Sequence, residues 1–481
     1  MNLQELVNVL TSHDLVVDAP AASVEVTSLS VDSRRVVPGC CFIAVRGSVA
    51  DGHEYVERAV AAGATSVIAE LAVTTRVPTV VVRDGKRAAE VLAAAWYGRP
   101  VDALQLFAVT GTNGKTTTTA LLRHLLDTNH DTGSVGTLGA FDAHGSAIAS
   151  TAGTLTTPGP LDLQATLRAL VDAGVRKVVM EASSHALHQG RLDGLEYDGS
   201  VFTNLTRDHL DYHGTMDEYL SAKLRLADLT AADGVLSVNI DDQAWLPLIG
   251  DRRAVTWGMH DDAMLRVSDI ALLPVGSRFT LSGRFGRVDI ELPLPGDFNV
   301  ANAVGAAAVV LGRGEPLYSV AERLRHAPQV PGRMERIIDA PFHVLRDYAH
   351  TPDALERALA TLRPITPGRI IVVFGCGGDR DKGKRPMMGT VAANGADHVI
   401  VTSDNPRTED PDAIIDDIVA GMPRGSYERE SDRLVAIGMA TGQARPGDAV
   451  LLAGKGHETY QVIGTESVPF DERAIVRSFV R

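Results

Sequence analysis

Apolar residues in this chain come in short blocks separated by longer, periodic stretches, and that rhythm predicts an α/β protein. Runs suited to buried strands recur: CFIAV (41–45), TSVIAE (65–70), residues 104–109, RKVVMEA (176–182), SVFTNL (200–205), IIVVFGCGG (370–378), HVIVTSDNPR (398–407) and AVLLAGKGHE (449–458). Between them the spacing turns helical. Leu121, Leu122, Leu125 and Leu126 share one face, and further helices are expected from about Glu54 to Ala62, from Pro386 and from near Asp432. Strands separated by helices imply βαβ units and a mainly parallel sheet. SRFTLSG and RVDIELPLPG read instead as shorter antiparallel strands. Polar, Gly- and Pro-bearing breaks at YGRPVDAL (97–104) and PGRMERI (331–337) divide the chain into three expected domains, 1–102, 103–332 and 333–481. In the last of these, three apolar strands end in polar, glycine-rich loops. Such loops occupy the edge of a doubly wound sheet where ligands bind.

Composition narrows the field. With 45% hydrophobic and 22% charged residues the chain reads as an ordinary globular protein, large enough to need no metal or disulfide staple. A net charge of −14 argues against a nucleic-acid partner. Three cysteines, two of them adjacent (Cys40 and Cys41, with Cys376), make neither a disulfide framework nor a zinc spacing. The start MNLQELVNVL lacks the basic opening of a secretory signal, and no segment has the length of a membrane span. The expected setting is cytoplasmic, without membrane insertion.

The most informative local pattern is AVTGTNGKTTTT (108–119). A strand, a glycine loop and a helix start carrying Gly-Lys-Thr is how a nucleotide triphosphate is held. Backbone N–H groups and the helix dipole face the anion, Lys115 adds charge, and the Thr116 hydroxyl can ligate magnesium. The usual P-loop glycine five residues before Gly114 is absent, since position 109 is valine. This short form counts against ordinary GTPases and small-molecule kinases. Glu181 ends an apolar strand in the same domain and is placed to hold magnesium across from Thr116, because that ion prefers oxygen ligands. Asp208, His209, Asp211 and His213 crowd into six residues, with Lys223 on the helix that follows. The loop at 375–380 is not a dinucleotide fingerprint, because its last glycine position is Arg380.

These motifs, in order over most of the chain, resemble the Mur ligases, ATP-dependent amide-forming enzymes of peptidoglycan synthesis. The matching residues are Gly111 to Thr117, Glu181 to His185, Thr203 to Gly214, Ala301-Asn302, Pro331-Gly332-Arg333 and Asp347 to Pro352. Val31 to Arg34, Ala50-Asp51-Gly52 and Gly375 to Pro386 resemble the member that adds the third residue of the stem peptide. The resemblance implies a three-domain α/β architecture: a UDP-sugar-binding domain, a central P-loop ATPase-like domain with a mainly parallel sheet, and a Rossmann-like amino-acid-binding domain. It implies ATP on Gly111, Thr112, Asn113, Gly114, Lys115, Thr116, Thr117, Asn302, Arg333 and Asp347. Lys115, Glu181, His209 and Lys223 become the catalytic set. Thr116, Glu181, His209 and a carbon dioxide carbamate of Lys223 become the magnesium set. The UDP-N-acetylmuramoyl dipeptide falls to Val31, Ser33, Ser48, Thr156, Thr157, Ser183, Gln189 and Arg191. Position 155 is leucine where some members have asparagine. The incoming amino acid falls to Arg380, Asp404, Asn405, Pro406, Arg407, Gly454 and Glu458. Arg407 points to meso-diaminopimelate, because lysine has no distal carboxylate for a guanidinium to clasp. L-lysine or another diamino acid, a folylpolyglutamate- or D-alanyl-D-alanine-adding relative, and a non-catalytic nucleotide-binding relative are the alternatives. A monomer, closing over its substrates to keep water from an acyl phosphate, is expected.

Overall fold

The structure is a computed structural model that describes residues 1–47, 50–149 and 155–480. The chain divides into two compact units, 1–256 and 257–481.

The first unit opens with α1 (Leu3–Ser12). Its start is fixed by a reciprocal cap, in which Asn2 Oδ1 accepts from Glu5 N and Glu5 Oε2 accepts from Asn2 N. Strands β1 (Val16–Asp18), β2 (Ser28–Ser30) and β3 (Cys40–Ile43), helix α2 (Val56–Ala61), strands β4 (Ser66–Ala69) and β5 (Thr79–Val82), and helix α3 (Gly85–Trp96) follow. The sheet order is β1-β5-β4-β3-β2, parallel from β2 to β5, with β1 antiparallel at the edge. Cys40 and Cys41 are successive residues of β3. The period of two sends them into separate apolar clusters, one on each face of the sheet. Both are free and buried, and burial pushes the Cys41 thiol up to about 12, so neither is a reactive group.

A second sheet follows. It is built from β6 (Gln105–Thr110), α4 (Lys115–Leu126), β7 (Thr132–Gly136), β8 (Gly139–Phe141), β9 (Ala147–Ile148), α5 (Pro160–Asp172), β10 (Lys177–Glu181), α6 (Ser184–His188), β11 (Tyr197–Phe202), α7 (Leu210–His213), α8 (Met216–Asp228), β12 (Thr230–Asn239) and α9 (Leu246–Ile249), and the unit ends within β13 (Ala254–Gly258). The parallel core runs β12-β11-β6-β10-β7, and β8 and β9 add antiparallel strands. Register matters here. Glu181 pairs with Val109 and Phe202 with Thr110, so the carboxyl ends of β10, β6 and β11 finish together and deliver their loops to one edge.

The second unit holds an antiparallel ribbon, β14 (Leu265–Leu273), β15 (Gly276–Gly283) and β16 (Gly286–Leu292), then α10 (Asp297–Gly312) and α11 (Leu317–Arg325). Beyond them come β17 (Glu335–Ile338), β18 (His343–Asp347), α12 (Pro352–Leu362), β19 (Ile370–Phe374), α13 (Lys384–Gly395), β20 (His398–Val401), α14 (Pro411–Val419), β21 (Glu428–Arg429), α15 (Arg433–Gln443), β22 (Ala449–Ala453), the hairpin β23 (Tyr460–Ile463) and β24 (Glu466–Pro469), and α16 (Glu472–Phe479). The order β17-β18-β22-β19-β20-β21 is parallel apart from β17. The central strands β19 and β22 are wholly buried, and β20 is buried after His398, which is why their sequences are nearly unbroken apolar runs.

The predicted elements are present, with shorter strands than the apolar runs suggest. The run 398–407 stops being strand at Val401, and 449–458 stops at Ala453, where Gly454 takes φ +112°. The helix expected from Glu54 begins as a 3₁₀ turn, Gly52–Tyr55, capped by Asp51, before α2 takes over. No described helix is long and apolar enough to cross a membrane.

Candidate active site

The loop between β6 and α4 is set by two glycines with left-handed backbone, Gly111 (φ +141°) and Gly114 (φ +87°). A Cβ at Gly111 would collide with Thr203 Oγ1, so the first glycine is required by space as well as by φ. The loop is stitched to the end of β11. Thr112 N donates to Asn204 O at 2.7 Å, Asn113 N to Asn204 Oδ1 at 3.0 Å, and Thr203 Oγ1 to Asn113 O at 2.7 Å. Lys115 Nζ folds back onto the carbonyls of Gly111 (3.0 Å) and Thr112 (2.8 Å).

Two features beside this loop carry chemistry. Thr116 Oγ1 donates to Glu181 Oε2 at 3.2 Å, and Thr137 donates to the same carboxylate from its N (2.9 Å) and Oγ1 (3.0 Å). Glu181 is 2% exposed and, among the described residues, no basic side chain pairs with it. A buried carboxylate facing only hydroxyl and amide donors is a hard oxygen set, and that fits a magnesium ion. The second feature is Lys223 on α8. It is 1% exposed, donates to Gly111 O at 2.7 Å and lies 4.4 Å from the centre of the Tyr219 ring. Burial, aided by the Lys115 charge, pushes its amine well below the ordinary lysine range. Two amines therefore converge on one loop carbonyl, and burial makes the charged form of Lys223 costlier than it is in water.

The polar cluster 208–213 forms an aromatic wall. His185 and His209 rings stand edge-on at 4.8 Å, and His185 and Tyr212 lie 4.2 Å apart. His213 Nε2 meets Ser184 Oγ at 3.0 Å, and burial among the other histidines pushes it down to about 4. His209 faces Asp208 Oδ2 at 3.5 Å. Among the described residues no three of His, Cys, Asp and Glu gather as a ready-made metal cluster.

A cavity of about 750 Å³ in the same unit is lined from one side by Val31, Ser33, Arg46, Tyr55 and Lys86, and from the other by His188, Gln189, Arg191 and Tyr212. Arg191 is locked in place by Gln189 Oε1 (2.8 Å from Nε) and Thr157 O (3.0 Å from Nη1), and Gln189 Nε2 reaches the Tyr212 hydroxyl at 3.0 Å.

In the second unit the loops after β18, β19, β20 and β22 share one sheet edge. Asp347 accepts from Met334 N at 2.7 Å, and burial pushes its carboxyl up. Arg333 stacks over Tyr348 at 5.0 Å. Asn405 Nδ2 donates to Glu458 Oε2 at 2.9 Å, and Lys455 joins Asp404, Asn405 and Glu458. Arg407, held with φ +50°, donates to Gly378 O at 2.7 Å.

Three family models match in series. They are "Mur ligase family, catalytic domain" over 25–109, "Mur ligase middle domain" over 109–310, and "Mur ligase, glutamate ligase domain" over 332–456. The chain belongs to the Mur ligase family. It is 45% identical over 469 residues, 95% of each chain, to a protein of Geobacillus kaustophilus (strain HTA426) named UDP-N-acetylmuramoyl-L-alanyl-D-glutamate--2,6-diaminopimelate ligase. A protein of the same name from Synechococcus elongatus (strain ATCC 33912 / PCC 7942 / FACHB-805) is 43% identical, covering 99% of this chain and 98% of its own. A solved structure of a ligase of that name superposes with TM-score 0.69 at 35% identity, covering 100% and 98% of the two chains. The ADP complex of the MurF ligase from Thermotoga maritima shares the fold at 18% identity, with TM-score 0.63 and 94% and 96% coverage.

Against this Mur ligase fold the sequence-predicted residues fall into groups. Gly111 to Thr117, Glu181 and Lys223 lie together around one loop, while Asn302, Arg333 and Asp347 belong to the second unit. Val31, Ser33, Gln189 and Arg191 line the cavity; Thr156, Thr157 and Ser183 do not, although Thr157 holds Arg191 and bonds Ser183 Oγ at 3.2 Å. Ser48 lies outside the described residues. Arg407 is only half-buried, so water shares its solvation. Arg380 is exposed. Sequence reading missed Thr137, Tyr219, Lys86, Arg46 and Lys455. Of these only Lys455 carried a local signal, its glycine-flanked position in GKGHE after a strand.

Proposed function

We propose that this Mur ligase joins meso-diaminopimelate to UDP-N-acetylmuramoyl-L-alanyl-D-glutamate, with ATP converted to ADP and phosphate. The relatives' printed name supports the acceptor and the amino acid. The observation that carries the ligase chemistry is the pairing at the nucleotide loop. Glu181, a buried acid at the end of β10 with no basic partner among the described residues, accepts from Thr116 on the first turn of α4, and two amines converge on Gly111 O.

A carboxylate is a poor acylating agent, so it must first gain a leaving group. The D-glutamyl carboxylate attacks the γ-phosphorus, the bond to ADP breaks, and an acyl phosphate forms. The neutral amine of the amino acid then attacks the acyl carbon. The tetrahedral adduct collapses to the amide, and phosphate departs. Each partner of the first step is anionic, so loop amides and Lys115 must offset charge. Lys115, now resting on two carbonyls, would swing to the phosphates once they arrive. Thr116 and Glu181 would hold magnesium, which when bound supplies positive charge against the phosphate oxygens. Lys223 is suited to carbamylation, because a neutral amine is what adds to carbon dioxide, releasing one proton. The anion so formed would face the Lys115 charge. His209, from its half-exposed wall position, would assist a second cation. Asn302, Arg333 and Asp347 would complete nucleotide binding.

The cavity lined by Val31, Ser33, Gln189 and Arg191 would take the UDP-sugar, joined by Ser48 and by Thr156, Thr157 and Ser183 at its border. Arg380, Asp404, Asn405, Pro406, Arg407, Gly454 and Glu458 would take the amino acid. We assign the domains as 1–102, 103–332 and 333–481, and the working state as a cytoplasmic monomer. The deciding experiment supplies purified protein with ATP, magnesium, the UDP-dipeptide and either meso-diaminopimelate or L-lysine. ADP release with a tripeptide product only for the first supports this reading; no ADP with either ends it.

A further inference from the structure

We propose that Lys455 is the positioning residue that makes the amino-acid pocket select for a distal carboxylate more strongly than for a distal ammonium, an inference resting on the ligase reading above. Lys455 is completely buried, yet its ammonium meets Asn405 Oδ1 at 3.0 Å, Glu458 Oε2 at 3.2 Å and Asp404 Oδ1 at 3.5 Å. These three partners are the residues assigned to the amino acid. Glu458 Oε2 also accepts from Asn405 Nδ2 at 2.9 Å. The group is pinned from outside by β23, where Val462 N donates to Asn405 Oδ1 (2.9 Å) and Gln461 Nε2 to Asp404 O (2.7 Å).

The charge tally is lopsided. Two acids, Asp404 and Glu458, already share one buried cation. Arg407 and Arg380, on the neighbouring loops, pair with no acid among the described residues, and Arg407 has only the Gly378 carbonyl. A ligand lacking a distal ammonium leaves Glu458 still bonded to Lys455 and Asn405. A ligand lacking a distal carboxylate forfeits the paired, charge-assisted contact that the half-buried Arg407 fork can make, a contact no other described acid replaces. Losing the carboxylate therefore costs more than losing an ammonium whose acid is already occupied. Lys455 produces the difference by occupying the acids, and without it the pocket would present two uncompensated carboxylates to any cation.

The test uses the full-length wild-type protein with ATP, the UDP-dipeptide and three amines: meso-diaminopimelate, 2-aminopimelate (no distal ammonium) and L-lysine (no distal carboxylate). Relative to meso-diaminopimelate, kcat/KM falls about tenfold for 2-aminopimelate and about a hundredfold or more for L-lysine, the sizes expected for one weakened and one lost charge-assisted contact. A 2-aminopimelate rate equal to or below the L-lysine rate overturns the proposal. In Lys455→Met, use of L-lysine relative to meso-diaminopimelate rises about tenfold while KM for ATP stays within about twofold. Adding Glu458→Gln to that variant moves the ratio back toward wild type. Equal losses for every amine in Lys455→Met, with no recovery in the double variant, reduce Lys455 to a structural residue and sink the idea. If Lys455→Met does not fold, Lys455→Gln, which keeps donors to the acids but no charge, is read in its place: the same rise in relative use of L-lysine supports the proposal, and an unchanged ratio overturns it. Absence of ADP with meso-diaminopimelate itself is a different failure, that of the ligase reading, and takes this inference with it.

Discussion

Replacing Lys223 with alanine tests whether its side chain acts as an amine, as a carbamate, or only as filling. The side chain is 1% exposed, so truncation removes four buried heavy atoms and leaves a void. A void of roughly 80 Å³ costs about 2 kcal/mol at the measured cavity coefficient. Part of that is offset, because the variant no longer buries an amine whose charge is disfavoured there. The net loss of about 1–2 kcal/mol lowers Tm by a few degrees and leaves the fold intact. Activity falls much further. If the residue supplies an anion that acts only when charge builds up at the phosphoryl centre, kcat drops about 10²- to 10³-fold, the size of one lost preorganised electrostatic contact. ADP release by the variant is then measured with added formate or acetate, and with formamide or acetamide as neutral mimics of similar size. The carboxylates restore activity and the amides do not. A variant within about threefold of wild-type turnover, or equal rescue by acids and amides, refutes the carbamate role.

Four further outcomes follow from single contacts. Gly111→Ala, which forces a Cβ onto Thr203 Oγ1 at φ +141°, abolishes ADP binding by calorimetry while far-UV circular dichroism stays native. Arg433→Met strands Glu472, since both are fully buried and Arg433 Nε donates to Glu472 Oε1 at 2.8 Å; urea unfolding loses about 3–5 kcal/mol. Arg407→Lys keeps the charge but loses the planar fork, and kcat/KM for meso-diaminopimelate falls about 10- to 100-fold with KM for ATP unchanged. Burial pushes Glu90 up to about 7 from 4.5 against the pull of Arg87, so the folded state takes a proton first as pH falls through about 7, and stability rises on that descent. Glu90→Gln therefore raises Tm at pH 8, by the equivalent of about 1–2 kcal/mol after screening, and gives no gain at pH 4.

How far the sequence revealed this molecule depended on distance along the chain. The nucleotide loop was legible because all of its causes are local: an apolar strand, two glycines, a lysine, a threonine and a leucine-faced helix within 105–126. Glu181 was legible because a carboxylate closing an apolar strand is conspicuous. The α/β class came from the same periodicities. What stayed hidden depends on partners far apart in sequence. Tyr219 supports the loop through a 3.1 Å contact with Thr112, 107 positions away, and nothing in either neighbourhood announces it. Thr137 braces Glu181 across 44 positions. The large cavity is completed by Lys86 and Glu90 on α3, a segment that carries no local sign of a ligand. Strand ends were overcalled at 402–407 for a related reason. Asn405 spends its side chain on Val462 N and Glu458, contacts that exist only once β23 has folded against the loop.

The two buried lysines show why residue type alone leaves chemistry open. Lys223 sits in SAKLR and Lys455 in GKGHE, and by composition each reads as a solvated or loop lysine. Folding removes both from water, to 1% and 0% exposure, and then treats them oppositely. Lys223 meets a carbonyl, an aromatic face and a second lysine, and the pull of Asp208 does not offset burial, so its amine titrates well below the ordinary lysine range. Lys455 meets two carboxylates and an amide oxygen, an ion-pair setting that fixes their geometry. A neutral buried amine is a nucleophile, whereas an ammonium between two acids is a brace. On the proposals above, the same side chain would supply reactivity beside the nucleotide loop and selectivity in the amino-acid pocket. The difference lies in which charges the fold has placed within about 4 Å, where Coulomb terms in a low-dielectric setting outweigh any intrinsic preference of the lysine itself.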